Sequence, residues 1–194
     1  MQEIITGAVS LGLLWAVMTI GVYISYSVLG MADMTAEGSI TMGAAIAAKV
    51  IAGGGNPYTG LVLAILCGMA AGLVNGLLHT KLKIPSLLSG ILTMTALFSI
   101  NLRIMGKANI SLLRMNTIYT PVAQMLGVSK GISVIIAGVL VCAAIIGLLY
   151  WFFGTEIGSA IRATGNNAHM VRAQGINTDT TIILGMVVSS ALRA

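Results

Sequence analysis

The stretch ISVIIAGVLVCAAIIGLLYWFF, residues 132–153, decides what kind of fold this chain can adopt. No Asp, Glu, Lys or Arg falls between Lys130 and Glu156. A bilayer crossing needs about 20 consecutive apolar residues, and this run supplies them. Its aromatic end, Tyr150-Trp151-Phe152-Phe153, suits the headgroup level, where amphipathic rings anchor a span. Comparable charge-free gaps separate Glu3 from Asp33 and Lys49 from Lys81.

Working outward, the composition agrees. The chain has 194 residues, 57% hydrophobic and 8% charged, with a mean hydropathy of +1.00. Soluble domains carry about 25% charged residues, so lipid must be the solvent for much of this surface. The expected fold is all-α, a polytopic membrane helical bundle. It has about five spans plus the start of a sixth, in one domain over residues 1–194.

The first span is expected over Ile4 to Leu29. Glu3 in place of a basic leader, and an apolar run longer than a signal core, mark it as a retained span rather than a cleaved signal. A polar break from Gly30 to Gly38 follows, holding Asp33 and Glu37, and then a weak apolar stretch, Ser39 to Ala52. That stretch covers only about 20 Å at ~1.5 Å per residue, short of a ~30 Å hydrocarbon core. Either the helix begins back in the break, or it is a short or broken helix of the kind that lines transporter cavities. Gly53 to Pro57 reads as a turn.

The next span, Tyr58 to Leu78, carries Ala64, Gly68, Gly72 and Gly76 at a regular spacing of four. This stripe predicts close approach of another helix. After a basic loop, His79 to Lys83, Pro85 opens a fourth span reaching about Ile100, with Arg103 to Lys130 as a longer connection. Gly154 to Thr180 is the most polar stretch and reads as two short helices, 156–163 and 168–174, with Gly165 and Gly175 as stops and Asn166 or Asn167 as a cap. A further apolar segment begins near Thr181.

GTEIGSAIRATGNNAHMVRAQGIN, residues 154–177, resembles the cytoplasmic coupling loop of bacterial ABC importer permeases, in the branch serving branched-chain amino acids and ribose. Gly158, Ile161, Arg162, Ala163, Gly165, Asn166, Arg172 and Gly175 fall in the stretch that would engage the ATPase. The break at residues 30–43 and HTKLKIPSLLSGILTMTALFSINLRIMGK, residues 79–107, are similar to a less characterised branch linked to aromatic amino-acid uptake. The resemblance implies a multi-pass permease of the bacterial cytoplasmic (inner) membrane, incomplete at its C-terminal side relative to the family, with a coupling loop at 154–180. It implies import of an amino acid or a similarly small solute, with a cytoplasmic ATPase, a second permease copy and an extracytoplasmic solute-binding protein as partners. ATP and Mg would enter through the ATPase.

The residues of that loop support the same expectation. Ile157, Ala160 and Ile161 are expected on one face of the first short helix, with Arg162 beside them, a pattern that fits a partner groove or a lipid surface. The family topology puts loops 30–38, 79–84 and 154–180 in the cytoplasm. The Lys and Arg distribution favours the opposite side, through Lys49, Arg103, Lys107, Arg114 and Lys130.

Asp33 and Glu37 are candidates for a translocation pathway, because acidic groups at membrane depth are expensive and usually functional; a helix N-terminus would also suit them. Asn75, Thr93, Thr95 and Asn101 either hydrogen-bond a solute or bridge helices. No metal site is expected, since His79 and His169 stand alone, and Cys67 and Cys142 lie in different apolar stretches. Gly106-Lys107 lacks phosphate-loop spacing, so no bound cofactor and no enzymatic activity are expected, and no basic-aromatic patch suggests nucleic acid. The alternative function is a self-standing secondary transporter or channel, with ion sites around Asp33 and Glu37.

Overall fold

The computed structural model describes residues 2–107, 110 and 130–194. Among them every regular element is helical, as the apolar runs require: in lipid, a segment must satisfy its own backbone hydrogen bonds. The elements are α1 (Gln2–Tyr23), a π-helical turn (Ile24–Val28), α2 (Ala36–Ala52), α3 (Pro57–Thr80), α4 (Ser86–Met105), α5 (Lys130–Gly154), α6 (Glu156–Ala173) and α7 (Thr178–Arg193). Ile4–Val28, Pro57–Thr80, Ser86–Met105 and Val134–Gly154 are long and apolar enough to cross a membrane. Most of the connection between Arg103 and Lys130 lies outside the described residues.

Sequence chemistry sets the boundaries. Asn56 caps α3 by accepting from the Tyr58 amide at 3.1 Å, with Pro57 in the first helical position. Gly106 ends α4 at φ +66, in the left-handed region that glycine tolerates. The second helix begins back in the polar break: α2 starts at Ala36, so Glu37 and Gly38 are helical and only the short segment after Leu29 is irregular. Its 17 residues cover about 25 Å, still short of a full core.

α2 runs antiparallel to α3, where Gly60 lies against Ala47 and Val50, and alongside α4, where Gly38 lies against Leu97. Met42, Ile46, Ala71 and Leu97 fill that core. The stripe on α3 receives α7. A Cβ on Gly72 would meet the Met186 carbonyl at 2.5 Å and Ser190 Cβ at 2.9 Å, and one on Gly76 would meet Ile183 Cα at 3.1 Å. Only glycine allows this approach. α7 therefore runs antiparallel to α3, and its start lies beside the loop after Thr80, where Lys81 and Asp179 stand 3.9 Å apart.

α6 sits at that same end of the bundle. It consists of the two expected short helices, separated where Asn167 leaves helical geometry at φ −156, ψ 91, and the Asn167 side chain caps the second by accepting from the Met170 amide at 3.1 Å. Gly175, at φ +84, is a helix stop as expected. Gly165 stands two residues before the break at Asn167, and a Cβ there would collide with the Val28 carbonyl, so α6 also presses on the end of the π-helical turn at this point.

Candidate functional site

Segment 29–35 is clamped at both ends. Leu29 enters a core with Ile161 of α6 and Ile182 and Met186 of α7, and its side chain fills the space over Gly185. At the other end stands Asp33, whose side chain is wholly buried and faces an equally buried Arg193 near the end of α7. Arg193 Nη2 donates to Asp33 Oδ2 at 2.5 Å.

The network extends across four elements. Asp33 Oδ1 accepts from the Thr35 amide at 3.0 Å, the Thr35 hydroxyl at 2.6 Å and Asn75 Nδ2 at 2.9 Å. Arg193 donates from Nη2 to Ser189 Oγ at 2.9 Å and Ser190 Oγ at 3.2 Å, and from Nε to the Ser189 carbonyl at 3.2 Å. The Ser189 hydroxyl donates to the Gly21 carbonyl of α1 at 2.6 Å. Two atoms of the network remain without a partner among the described residues: Arg193 Nη1, a donor, and Asn75 Oδ1, an acceptor.

The cluster lies alongside the length of candidate spans rather than beyond their ends. Asn75 sits five residues inside the end of α3, about 7.5 Å along its axis. Arg193 is fifteen residues into α7, about 22 Å from its start, with neighbouring Ser190 against Gly72 in the middle of α3. An ion pair at that depth is not explained by stability. Its desolvation cost rivals its attraction, and well-packed apolar replacements are often as stable. Ionisable groups inside a membrane bundle are characteristically functional.

Of the candidate pathway residues, the structure brings Asp33 and Asn75 together and separates the others. Glu37 is exposed in the first turn of α2. Thr95 is exposed, its hydroxyl donating back to Ile91 and Leu92 carbonyls. Thr93 is buried and bonds the Ser89 carbonyl at 2.9 Å. Asn101 bridges α4 to α2, donating to Thr41 Oγ1 at 2.8 Å and the Gly38 carbonyl at 3.3 Å. Sequence reasoning missed Arg193, Ser189 and Ser190. A cation in an apolar helix, with serines three and four residues before it, was the available signal.

The loop residues divide by what they touch. Gly158 is buried because a Cβ would strike the Phe152 carbonyl and Phe153, and Ile161 is fully buried in the core. Ile157 and Ile161 stand one turn apart on this helix, as their spacing requires, yet Ile157 is 53% exposed while Ile161 is 0% exposed. Arg162 is exposed yet donates to the Phe153 carbonyl at 2.8 Å, capping α5. Ala163 and Gly165 are half-buried, and Asn166, Arg172 and Gly175 are exposed. Arg172 also binds Thr178 Oγ1, from Nε at 3.1 Å and Nη2 at 2.6 Å.

α6 and α7 meet in a buried elbow. Thr164 and Thr181 hydroxyls meet at 2.9 Å in a buried contact, and Asn177 caps α7 by accepting from the Asp179 amide at 3.0 Å. Beside this elbow, His79, Lys83, Arg172, Asn177 and Thr178 line a cavity of about 740 Å³.

Comparison with known proteins matches this architecture. A tyrosine transport system permease protein of Clostridioides difficile (strain R20291) is 42% identical over 182 residues, covering 94% of this chain and 59% of the relative. An uncharacterized protein of Rickettsia prowazekii (strain Madrid E) is 29% identical over 193 residues, covering 100% of this chain and 66% of the relative. The chain thus spans somewhat under two thirds of the length of these relatives. No solved structure matches it. The family described as branched-chain amino acid transport system / permease component matches residues 4–194, and the chain belongs to that family.

Proposed function

We propose that this chain is the permease part of an ATP-driven importer of the bacterial cytoplasmic membrane, carrying an amino acid, with aromatic amino acids as the first class to test. Transport by a permease of this family, together with the tyrosine transport system permease relative, supports that reading. The observation that carries the mechanism is the buried contact between α6 and α7, where the Thr164 and Thr181 hydroxyls meet. α6 lies at one end of the bundle and exposes Ile157 at 53% and Met170 at 55%. In the proposal these side chains enter a groove on a cytoplasmic ATPase subunit, as amphipathic helices do. ATP and Mg act in that subunit, whose closure moves α6 and, through it, α7. A second permease copy completes the pathway and an extracytoplasmic binding protein delivers the solute.

A buried carboxylate left open to a coupling ion would favour the ion-driven alternative. Asp33 already carries Arg193 and three further donors, which favours the ATP-driven reading.

The test is co-purification with the candidate ATPase in detergent, for wild type and an Ile157→Asp, Met170→Asp variant. Neither side chain is needed internally, so the variant keeps its fold and loses the ATPase. Retention of the ATPase by the folded variant would remove α6 from the coupling interface.

A further inference from the structure

The buried pair offers chemistry that matches one solute class. It presents a carboxylate and a guanidinium side by side, both with wholly buried side chains. Around them, among the described residues, remain one unpartnered donor, Arg193 Nη1, and one unpartnered acceptor, Asn75 Oδ1, on residues 2% and 0% exposed. Buried polar atoms are satisfied in the great majority of cases, and an exception calls for an explanation. A free donor beside the cation and a free acceptor beside the anion are the complement of a zwitterion.

We infer that Asp33, Asn75 and Arg193 form a subsite for the α-ammonium and α-carboxylate of an amino acid, entered by exchange of ion pairs; this rests on the amino-acid importer reading above. In the closed state the two residues neutralise each other. When α7 moves, the solute carboxylate takes the Arg193 guanidinium, including Nη1, in the two-pronged geometry arginine favours. The solute ammonium, with three donors, takes Asp33 and Asn75 Oδ1. Total charge in the site is unchanged, and no charge is left unpaired at any stage. On release Asp33 and Arg193 re-form their bond. A single charged residue could not do this, because release would leave it buried and alone. The same geometry rejects solutes lacking either group, since each would strand one member of the pair.

The experiment is equilibrium binding of radiolabelled tyrosine to the permease–ATPase complex in nanodiscs, without the solute-binding protein. Competitors are tyramine, which lacks the carboxylate, and 3-(4-hydroxyphenyl)propionate, which lacks the ammonium. Wild type should prefer tyrosine over each by at least about a hundredfold, as sites built on hydrogen-bonded groups do. Arg193→Gln should erase the preference over tyramine, and Asp33→Asn the preference over the propionate. The neutral Asp33→Asn, Arg193→Gln double variant, which strands no charge, should lose both if the single variants fail to fold. An unchanged preference in any variant that assembles and hydrolyses ATP would overturn the subsite. So would an absence of tyrosine binding in a wild-type complex that imports tyrosine with its binding protein. Failure of import itself, by a complex that takes up no amino acid, would instead strike the importer reading.

Discussion

α5 and α7 face opposite problems in the same bundle. Along α5 the apolar side chains point outward: Leu140 is 65% exposed, Leu148 63%, Tyr150 87% and Trp151 73%. Along α7 the polar ones point inward: Thr178, Thr181, Ser189, Ser190 and Arg193 are all buried. α5 is long and apolar enough to cross a membrane, and its neighbour α1 touches it through contacts such as Leu13 over Gly138. α7 is built inside-out relative to a helix in water. Where lipid is the solvent, hydropathy says that a segment crosses the membrane, while small and polar residues say which face meets protein.

The largest expected effect tests the inward charge. Asp33→Asn alone, or Arg193→Leu alone, leaves one buried charge uncompensated and should destabilise the folded state by about 3–5 kcal/mol. The double Asp33→Asn, Arg193→Gln replacement should recover a large part of that loss. Denaturant titration in detergent micelles reads both, and a double variant no better than the singles would mean that the two residues do not interact.

Next comes the close approach. Gly72→Val places a branched side chain where the Met186 carbonyl and Ser190 already stand, and overpacking costs about 1–3 kcal/mol, occasionally more. The same denaturation measurement serves, and a wild-type midpoint would show that α3 and α7 are not packed as described. Asn177→Ala removes the cap of α7 and should cost about 1 kcal/mol. It should also weaken ATPase-stimulated transport, because the cap lies at the elbow between α6 and α7.

How much of this is legible in the sequence follows from the same contrast. The spans, the glycine stripe of α3, the turn from Gly53 to Pro57 and the helix stop at Gly175 rest on local patterns, so the sequence carries them. Gly165 reads as a stop and lies two residues before the break at Asn167, but it also admits a neighbouring backbone, and a glycine in either role is the same letter. Only the position of Val28 tells them apart. Ile157 and Ile161 share a face by spacing, yet the core under Leu29 buries Ile161 and leaves Ile157 exposed. Of the polar candidates, Asp33 and Asn75 meet because α3 passes the break, 42 residues away in sequence. Arg193 lies 160 residues from Asp33, a distance that only the assembled helices close. Residue type groups Glu37 and Thr95 with them, and type does not specify a helix face.

The smallest effect sharpens the comparison most. Gly147 on α5 is exposed, and a Cβ added there would meet nothing within 4 Å. If lipid alone covers this face, Gly147→Leu gains helix propensity, worth about 0.8–1 kcal/mol relative to glycine, and meets no obstacle. The expected outcome is a slightly raised denaturation midpoint with unchanged assembly. If a second permease copy packs here, the added side chain intrudes on it, and blue-native electrophoresis would show a loss of dimer although each protomer remains folded. The same substitution at Gly72 of α3 fails in either case, because its obstacle lies within the protomer. Comparing the two glycines therefore separates a surface that faces lipid from one that faces a partner, using a residue whose own side chain contributes nothing to either.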